Sequence, residues 1–157
     1  MRQHSEPFSR KTLDGHITAS AWVVNDNMTE AFLIRHKSLD LWMQPGGHVD
    51  PDEYPAEAAV RESNEETGLS GLQILPPGLF DVDVHSIPDN LMKNEPRHTH
   101  YDLRYLVRAD HQEGHVDQEE CIDGRWFDLQ ALSKDRTMIP SLRRMASLTL
   151  VYADSQV

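Results

Sequence analysis

Apolar runs and alternating apolar and polar positions recur along the chain, and they predict a succession of β-strands. Residues 16–24 (HITASAWVV) and 31–35 (AFLIR) are rich in strand-forming side chains, and the polar turn at 25–27 between them indicates a hairpin. Three further strand patterns follow, at 79–87, 98–108 and 124–128. The polar segments between these strands predict loops at 88–97 and 110–120.

Helical spacing replaces the strand pattern between Pro55 and Thr67. Proline suits the first turn of a helix and glycine the position after its end, so Pro55 and Gly68 predict both boundaries. Apolar positions after residue 128 predict one or two closing helices, and the polar residues 1–15 predict an N-terminal arm or short helix. Because strands and helices mix without strict βαβ alternation, the pattern favours an α+β layered fold over a doubly wound sheet.

Composition restricts the function more than the fold. The 157 residues include 26 acidic and 15 basic side chains, giving a formal net charge of −11, and 38% of them are hydrophobic. These values are typical of one soluble globular domain, here over 1–157. The acidity argues against a nucleic acid polymer as partner, because binding one requires clustered Lys and Arg. No apolar run reaches the 18 residues that predict a membrane helix.

The single cysteine, Cys121, excludes an internal disulfide and a zinc ribbon. The N-terminal residues do not have the apolar segment of a secretory signal. Both observations favour the cytoplasm.

Three glutamates concentrate negative charge on the predicted helix. At about 100° per residue, Glu62, Glu65 and Glu66 share an arc of about 100°. Carboxylates at these spacings repel one another, and they lie near the helix end where the dipole disfavours anions. The arc is either a solvated acidic face or a site for a hard divalent cation that removes the repulsion.

The spacing around these glutamates favours the cation site. The segment from Gly47 to Leu69 fits the pattern G-x5-E-x7-R-E-x-x-E-E-x-G, and every charged and glycine position is occupied. It resembles the Nudix box, the signature of the MutT-like Nudix hydrolases. Two positions depart from the family pattern. Ser63 stands where an aliphatic residue is usual, and Asp52 replaces the common glycine before Glu53.

The resemblance implies the Nudix fold, a mixed β-sheet sandwiched between helices, over most of the chain. It implies hydrolysis of a diphosphate linkage in a small molecule, a nucleoside diphosphate linked to another moiety. It also implies Mg²⁺ or Mn²⁺ as cofactor. A homodimer stays open, because many relatives dimerise.

Within the box, the resemblance implies a role for each matching residue. Glu62 is the first candidate for the base that takes a proton from the attacking water, and Glu65 is the second. Arg61 is implied to pair with Glu53 and to brace the loop against the helix. The implied metal ligands are the backbone at Gly47 and the side chains of Glu62, Glu65 and Glu66.

A further metal ligand in the family often comes from a loop after the box. Here the charged loop at 110–120 ends in Glu119 and Glu120, just ahead of the strand predicted near Gly124. Glu120 is the candidate ligand and Glu119 the fallback. A solvated pair of loop carboxylates explains the two residues equally well.

Histidines outside the box form a second candidate group. His98, His100 and Asp102 alternate along a predicted strand and therefore share one of its faces, where His85 of the preceding strand can join them. These four are candidate substrate-binding residues. A transition-metal site and a strand face of hydrogen-bonded histidines are the alternatives. The H-x-H-x-D pattern also resembles a bacterial Nudix subgroup, without naming a substrate.

Trp42 precedes the box in the segment LWMQPGG, where an aromatic ring can stack on a nucleobase; core packing is the alternative.

Two other functions stay open, a nucleotide sensor that binds without hydrolysis and a hydrolase of a non-nucleotide diphosphate. Isomerisation of an isoprenoid diphosphate is disfavoured, because no cysteine stands in a matching motif.

Overall fold

The strand patterns of the sequence pair into one sheet in the computed structural model of the protein, which describes residues 6–12, 14–89 and 96–156. Within these ranges the strands are β1 (His16–Val24), β2 (Glu30–His36), β3 (Leu41–Met43), β4 (Gly46–His48), β5 (Gln73–Ile87), β6 (His98–Arg108) and β7 (Cys121–Asp128). The helices are α1 (Pro55–Thr67), α2 (Leu129–Lys134) and α3 (Pro140–Asp154).

Strand β1 lies at the centre of the sheet and has three neighbours. It pairs antiparallel with β2 at its end and with β4 at its beginning, and parallel with β6 along its whole length. The order along the sheet is β3-β2-β1-β6-β5, and β7 pairs with β2. The sheet is therefore mixed, as expected, and the predicted hairpin of the first two strands is confirmed by the pair Val24 and Ala31.

Helices cover both faces of the sheet. Helix α1 packs on one face, where Ala19, Ala21 and Val23 of β1 meet Ala58 and Ala59 in a buried cluster. The alternate residues of β1 point to the other face, into a second cluster with α2 and α3. There the indole Nε1–H of Trp22 donates to Thr149 Oγ1 of α3 at 2.7 Å. The predicted layering of a sheet between helices is confirmed.

Helix α1 begins and ends at the predicted residues. Pro55 stands at its first position, and Gly68 ends it with a φ of 65°, a left-handed conformation that favours glycine. The Gly68 N–H donates to the carbonyl of Asn64 at 2.9 Å. Ser63 and Thr67 are fully buried, so the small residue at the departing position of the box packs against the sheet.

Some boundaries differ from the expectation. Strand β5 begins at Gln73, six residues before the predicted start, and a shift of register between Ile74 and Leu79 accommodates its two prolines. Strand β7 begins at Cys121 instead of residue 124, and β3 and β4 were not predicted. Residues 6–12 form turns and no helix, whereas 1–5, 13 and 90–95 lie outside the described residues.

In the ranges that the structure describes, no helix has the length and apolarity to cross a bilayer.

Candidate active site

Strand β4 brings two backbone glycines against the acidic face of α1. The Gly46 N–H donates to Glu66 Oε2 at 2.8 Å. A Cβ on Gly47 would lie 2.6 Å from the carboxyl carbon of Glu62, so only glycine leaves room for that carboxylate. The pairing of β4 with β1 fixes both glycines in the sheet, and the glutamates approach them from the helix.

The three glutamates of the acidic arc differ in exposure. Glu66 is buried, with 5% of its surface accessible. The side chain of Glu62 is 16% exposed and that of Glu65 is 59% exposed. The arc is therefore not a uniformly solvated face, because two of its carboxylates point into the contact between α1 and β4.

Burial raises the pKa of the two inner carboxyl groups. Burial is the main cause that raises the pKa of Glu66 to about 8, against the lowering effect of the Gly46 hydrogen bond. The negative charges of Glu62, Glu120 and Asp117 raise it further. Burial also raises the pKa of Glu62, and the adjacent Arg61 guanidinium opposes that rise.

The loop at 110–120 lies against the end of α1 and completes the acidic group. The N–H of His115 donates to the carbonyl of Thr67 at 2.8 Å, and the N–H of Asp117 donates to the carbonyl of Glu66 at 3.1 Å. These bonds satisfy carbonyls that the last turn of a helix leaves without partners. They hold Glu120 close enough for its charge to raise the pKa of both Glu62 and Glu66.

Asp117 is a carboxylate near the site that the sequence analysis missed. Its charge contributes to the raised pKa of Glu66. Its own carboxylate accepts a hydrogen bond from the backbone N–H of Glu119 at 2.9 Å. The only sequence signal was its position in the charged loop, three residues before Glu120.

Arg61 ties the loop before α1 to the helix. Its Nε and Nη2 donate to the two oxygens of Glu53, each at 2.9 Å, and Nη2 also donates to the carbonyl of His48 at 3.1 Å. Nη1 lies 3.0 Å from Glu62 Oε1 and 3.3 Å from Glu65 Oε2. The bidentate ion pair lowers the pKa of Glu53. The geometry agrees with the bracing role that we expected for this pair.

The donor chemistry of this group fits a hard divalent cation. Glu62 and Glu66 present carboxylate oxygens beside the backbone of Gly46 and Gly47, and Glu120 adds a third carboxylate at the rim. Oxygen ligands of this kind are the ones that Mg²⁺ and Mn²⁺ prefer. A cation there would also offset the mutual repulsion of the carboxylates.

Three of the four residues in the predicted group of His85, His98, His100 and Asp102 come together. The rings of His98 and His100 are 4.9 Å apart, and those of His85 and His100 are 5.6 Å apart. Two further histidines join this group and were not predicted from the sequence, His16 of β1 and His48 of β4, whose rings are 5.0 Å apart. Only the parallel pairing of β1 with β6 reveals that His16 faces His100.

Asp102 does not share the surroundings expected for it. It is buried, and its carboxylate accepts hydrogen bonds from Thr18 at 3.2 Å, Ser20 at 2.8 Å, Gln44 at 3.2 Å and Arg104 at 2.9 Å. A carboxylate with four internal donors has little capacity left for a ligand. This network favours a structural role for Asp102 between β1 and β6 over the predicted contact with substrate.

Trp42 packs on its own sheet neighbours. Its ring meets Phe127 edge-on at 4.9 Å, and the guanidinium carbon of Arg125 lies 4.7 Å from the ring centre. These contacts place Trp42 at the margin of the cluster that α2 and α3 cover. They support the packing alternative over stacking on a nucleobase.

Comparison with known proteins identifies the family of the chain. The sequence profile of the NUDIX domain family matches residues 15–148. A probable DHNTP pyrophosphohydrolase of Lactococcus lactis is 37% identical over 103 residues, which are 66% of this chain and 60% of that protein. The human protein named nucleoside diphosphate-linked moiety X motif 6 is 30% identical over 140 residues, 86% of this chain and 42% of that protein. The chain thus spans less than two thirds of either relative.

Solved structures share the fold. A NUDIX family hydrolase from Clostridium perfringens superposes with a TM-score of 0.65 at 22% identity, covering 87% of this chain and 97% of that one. The dihydroneopterin triphosphate pyrophosphohydrolase of E. coli gives 0.66 at 15% identity, covering 87% and 95%. The bacterial H-x-H-x-D subgroup stays a prediction. The profile match runs from the start of the first strand into the last helix, and the chain therefore belongs to the NUDIX domain family.

Proposed function

We propose that the protein is a pyrophosphohydrolase, dependent on Mg²⁺ or Mn²⁺, that cleaves the diphosphate linkage of a nucleoside diphosphate joined to another moiety. The observation that carries this proposal is the convergence of Glu62 and Glu66 on the glycine backbone of β4, with Glu120 close enough for its charge to raise the pKa of Glu66. Carboxylates are gathered there in a protein whose net charge of −11 repels a diphosphate. Because like charges repel, a diphosphate can bind and react at this acidic site only together with cations that offset the repulsion.

The residues that would hold the cations are the carboxylates of Glu62, Glu65, Glu66 and Glu120 and the backbone carbonyl at Gly47. When bound, Mg²⁺ or Mn²⁺ neutralises phosphate oxygens and lowers the pKa of the attacking water. The protein fixes the positions of the oxygen atoms that would bind the cations. Gly46 fixes one oxygen of Glu66, and Arg61 fixes the loop before the helix through Glu53.

Glu62 is our first candidate for the general base and Glu65 the second. The Glu62 side chain is only 16% exposed, and burial raises its pKa, which makes its carboxylate a better proton acceptor. Glu65 is mostly exposed and hydrogen-bonds Arg61. If Glu62 is the base, Glu62→Gln lowers kcat more than Glu65→Gln does at saturating Mg²⁺.

The names of the relatives suggest a substrate panel. The Lactococcus lactis relative is named for DHNTP, and structural neighbours are titled an Ap4A hydrolase and a UDP-X diphosphatase. We would therefore measure phosphate and pyrophosphate release from dihydroneopterin triphosphate, nucleoside triphosphates, ADP-ribose, dinucleoside polyphosphates and sugar nucleotides. Each compound would be tested with Mg²⁺ and with Mn²⁺.

Glu66→Gln is the decisive variant for this screen. We expect it to lower turnover by roughly a hundredfold or more, because it removes a buried metal-binding charge while keeping a group that can accept the Gly46 N–H. Glu57→Gln is the matched control on the same helix, where glutamine can still accept the hydrogen bond from the Tyr54 N–H. Full activity of a folded Glu66→Gln protein would contradict the proposal.

The same screen separates the two alternatives. Tight nucleotide binding in calorimetry with no turnover of any compound would favour a nucleotide sensor. Absence of both binding and turnover would favour a diphosphate outside the nucleotides. We further propose that the protein works in the cytoplasm on small molecules, which agrees with its net charge and its single cysteine.

A further inference from the structure

Five histidines gather at the beginning of β1, on β4 and β6 beside it, and on β5 beyond β6. His16 and His100 are partners in the parallel pairing of β1 with β6, and His85 faces His100 across β5 and β6. The His16 ring lies 5.0 Å from that of His48, 5.1 Å from that of His98 and 4.8 Å from that of His100. We call these five residues the histidine cluster.

The ring nitrogens of the cluster have the spacing of metal ligands. One ring nitrogen from each of His16, His48 and His100 lies within 4.8 Å of the other two. The Nε2 atoms of His16 and His48 are 3.0 Å apart, as are those of His98 and His100. A tetrahedral ion with metal–nitrogen bonds of about 2.0–2.1 Å sets its ligand nitrogens about 3.3 Å apart. Small side-chain movements therefore suffice to surround an ion.

Two members are oriented by groups outside the cluster. The Nδ1 of His98 lies 2.8 Å from the carbonyl of Pro96, and because a carbonyl only accepts, Nδ1 must carry the proton. The lone pair of neutral His98 is then on Nε2, which points at His100. The Nδ1 of His85 lies 3.1 Å from the carboxylate of Asp83. Carbonyl and carboxylate partners of this kind are usual behind histidines that bind metals.

Burial also favours metal binding here. His16 is buried and His48 and His100 are half-buried, so few water molecules compete for their ring nitrogens. A neutral imidazole can offer a lone pair to a cation. We infer that the histidine cluster binds one late transition-metal ion, such as Zn²⁺, Ni²⁺, Co²⁺ or Cu²⁺, through His16, His48 and His100, with His98 as fourth ligand.

This site is chemically distinct from the acidic site of the box. The box presents carboxylate and carbonyl oxygens, whereas the ligand atoms of the histidine cluster are nitrogens, which suit a different group of ions. The two sites meet at β4, where Gly47 contacts Glu62 and the next side chain, His48, contacts His16. A cleft lined by Arg10, Thr12, Ile87 and Pro96 opens onto the histidines and provides an entry path for the ion.

Titration of the untagged protein with ZnCl₂ in saturating Mg²⁺ tests the inference by calorimetry. We expect one Zn²⁺ per chain, unchanged by Glu66→Gln, which impairs only the box. His48→Asn and His100→Asn should each weaken Zn²⁺ binding by more than about a hundredfold. His111→Asn is the matched control, because His111 lies outside the cluster and stacks on Trp126 at 5.0 Å.

A second measurement does not depend on the folding of any variant. The electron paramagnetic resonance spectrum of the wild-type protein with one equivalent of Cu²⁺ should show nitrogen hyperfine coupling from at least three imidazoles. The inference is overturned if the wild-type protein binds no stoichiometric Zn²⁺, or if folded His48→Asn and His100→Asn bind it as tightly as wild type. It is also overturned if these variants alter only nucleotide binding, which would make the histidines substrate contacts.

Discussion

Gly47 shows how one missing side chain sets the geometry of the acidic site. The carboxylate of Glu62 occupies the space that any Cβ at this position would take. A side chain at this position would displace the Glu62 carboxylate, whereas glycine leaves the carboxylate against the backbone of β4. At the residue scale, the site depends on this close approach.

Gly47→Ala should lower kcat by up to about a hundredfold while the fold persists, because the Glu62 carboxylate must move and a small displacement of a catalytic group is costly. Steady-state kinetics together with thermal unfolding would measure both effects. Gly71→Ala is a suitable comparison, since nothing lies within 4 Å of a Cβ there, although the φ of 70° strains it. Wild-type kcat in Gly47→Ala would argue against the close approach.

The thiol of Cys121 reports on the same acidic surroundings. Burial, and then the charges of Glu66, Glu120 and Asp117, raise the pKa of this thiol to about 12. At pH 8 the folded protein should therefore react with iodoacetamide about a thousandfold more slowly than the unfolded chain in urea. Mass spectrometry measures this rate directly, because the chain has one cysteine. Equal rates in both states would contradict the burial of Cys121 beside the carboxylates.

At the scale of elements, the loop at 110–120 is as much a part of the site as α1. Its backbone bonds to Thr67 and Glu66 place the acidic end of the loop over the last turn of the helix. The backbone N–H of Lys37 also donates to the carbonyl of Glu120 at 2.8 Å, which ties the loop to the end of β2. Hydrogen bonds to α1 and to the end of β2 thus fix the loop, and with it Glu120, from two sides.

Glu120→Gln should raise the Mg²⁺ concentration needed for half-maximal activity by about tenfold, because one charge at the rim of the site is removed. Activity measured against Mg²⁺ concentration tests this. Glu113→Gln, an exposed position in the same loop, is the control and should match wild type. A larger effect of Glu119→Gln than of Glu120→Gln would transfer the ligand role to the fallback residue.

Local signals explain which elements could be predicted. Helix α1 was predicted to the residue because Pro55 and Gly68 mark its ends by their own conformational preferences. Strands β3 and β4 have three residues each, too few for a periodic pattern, and β4 consists mainly of the glycines that otherwise indicate a turn. The box residues were recognisable because their spacing is local.

Non-local pairing explains what the sequence could not indicate. His16 and His48 lie far apart along the chain, and they join His100 only through the pairing of β1 with β4 and with β6. The burial of Asp102 has the same origin, because its donors Thr18 and Ser20 come from β1. Alternation along one strand predicts a shared face but not which partners cover that face.

For the whole molecule, the question of a homodimer stays open, and β5 offers a surface for one. This strand ends the sheet path, and its residues Val82 and Val84 are 51% and 60% exposed. If two copies associate there, light scattering after size-exclusion chromatography will give the mass of two chains, and Val84→Glu will give one. Val151→Glu is the control, since that valine is 69% exposed and belongs to α3 and not to the edge strand. A monomeric wild-type protein would contradict the dimer.

The parallel pairing of β1 with β6 has a consequence for folding. The residues that it joins, such as Thr18 and Asp102, are 84 positions apart along the chain. The entropy of closing that loop must be overcome before the central contacts form, so the middle of the sheet assembles late. During synthesis, β1 cannot find its parallel neighbour until β6 has left the ribosome. The histidine cluster is then absent from the nascent chain, and only the folded protein can acquire its ion.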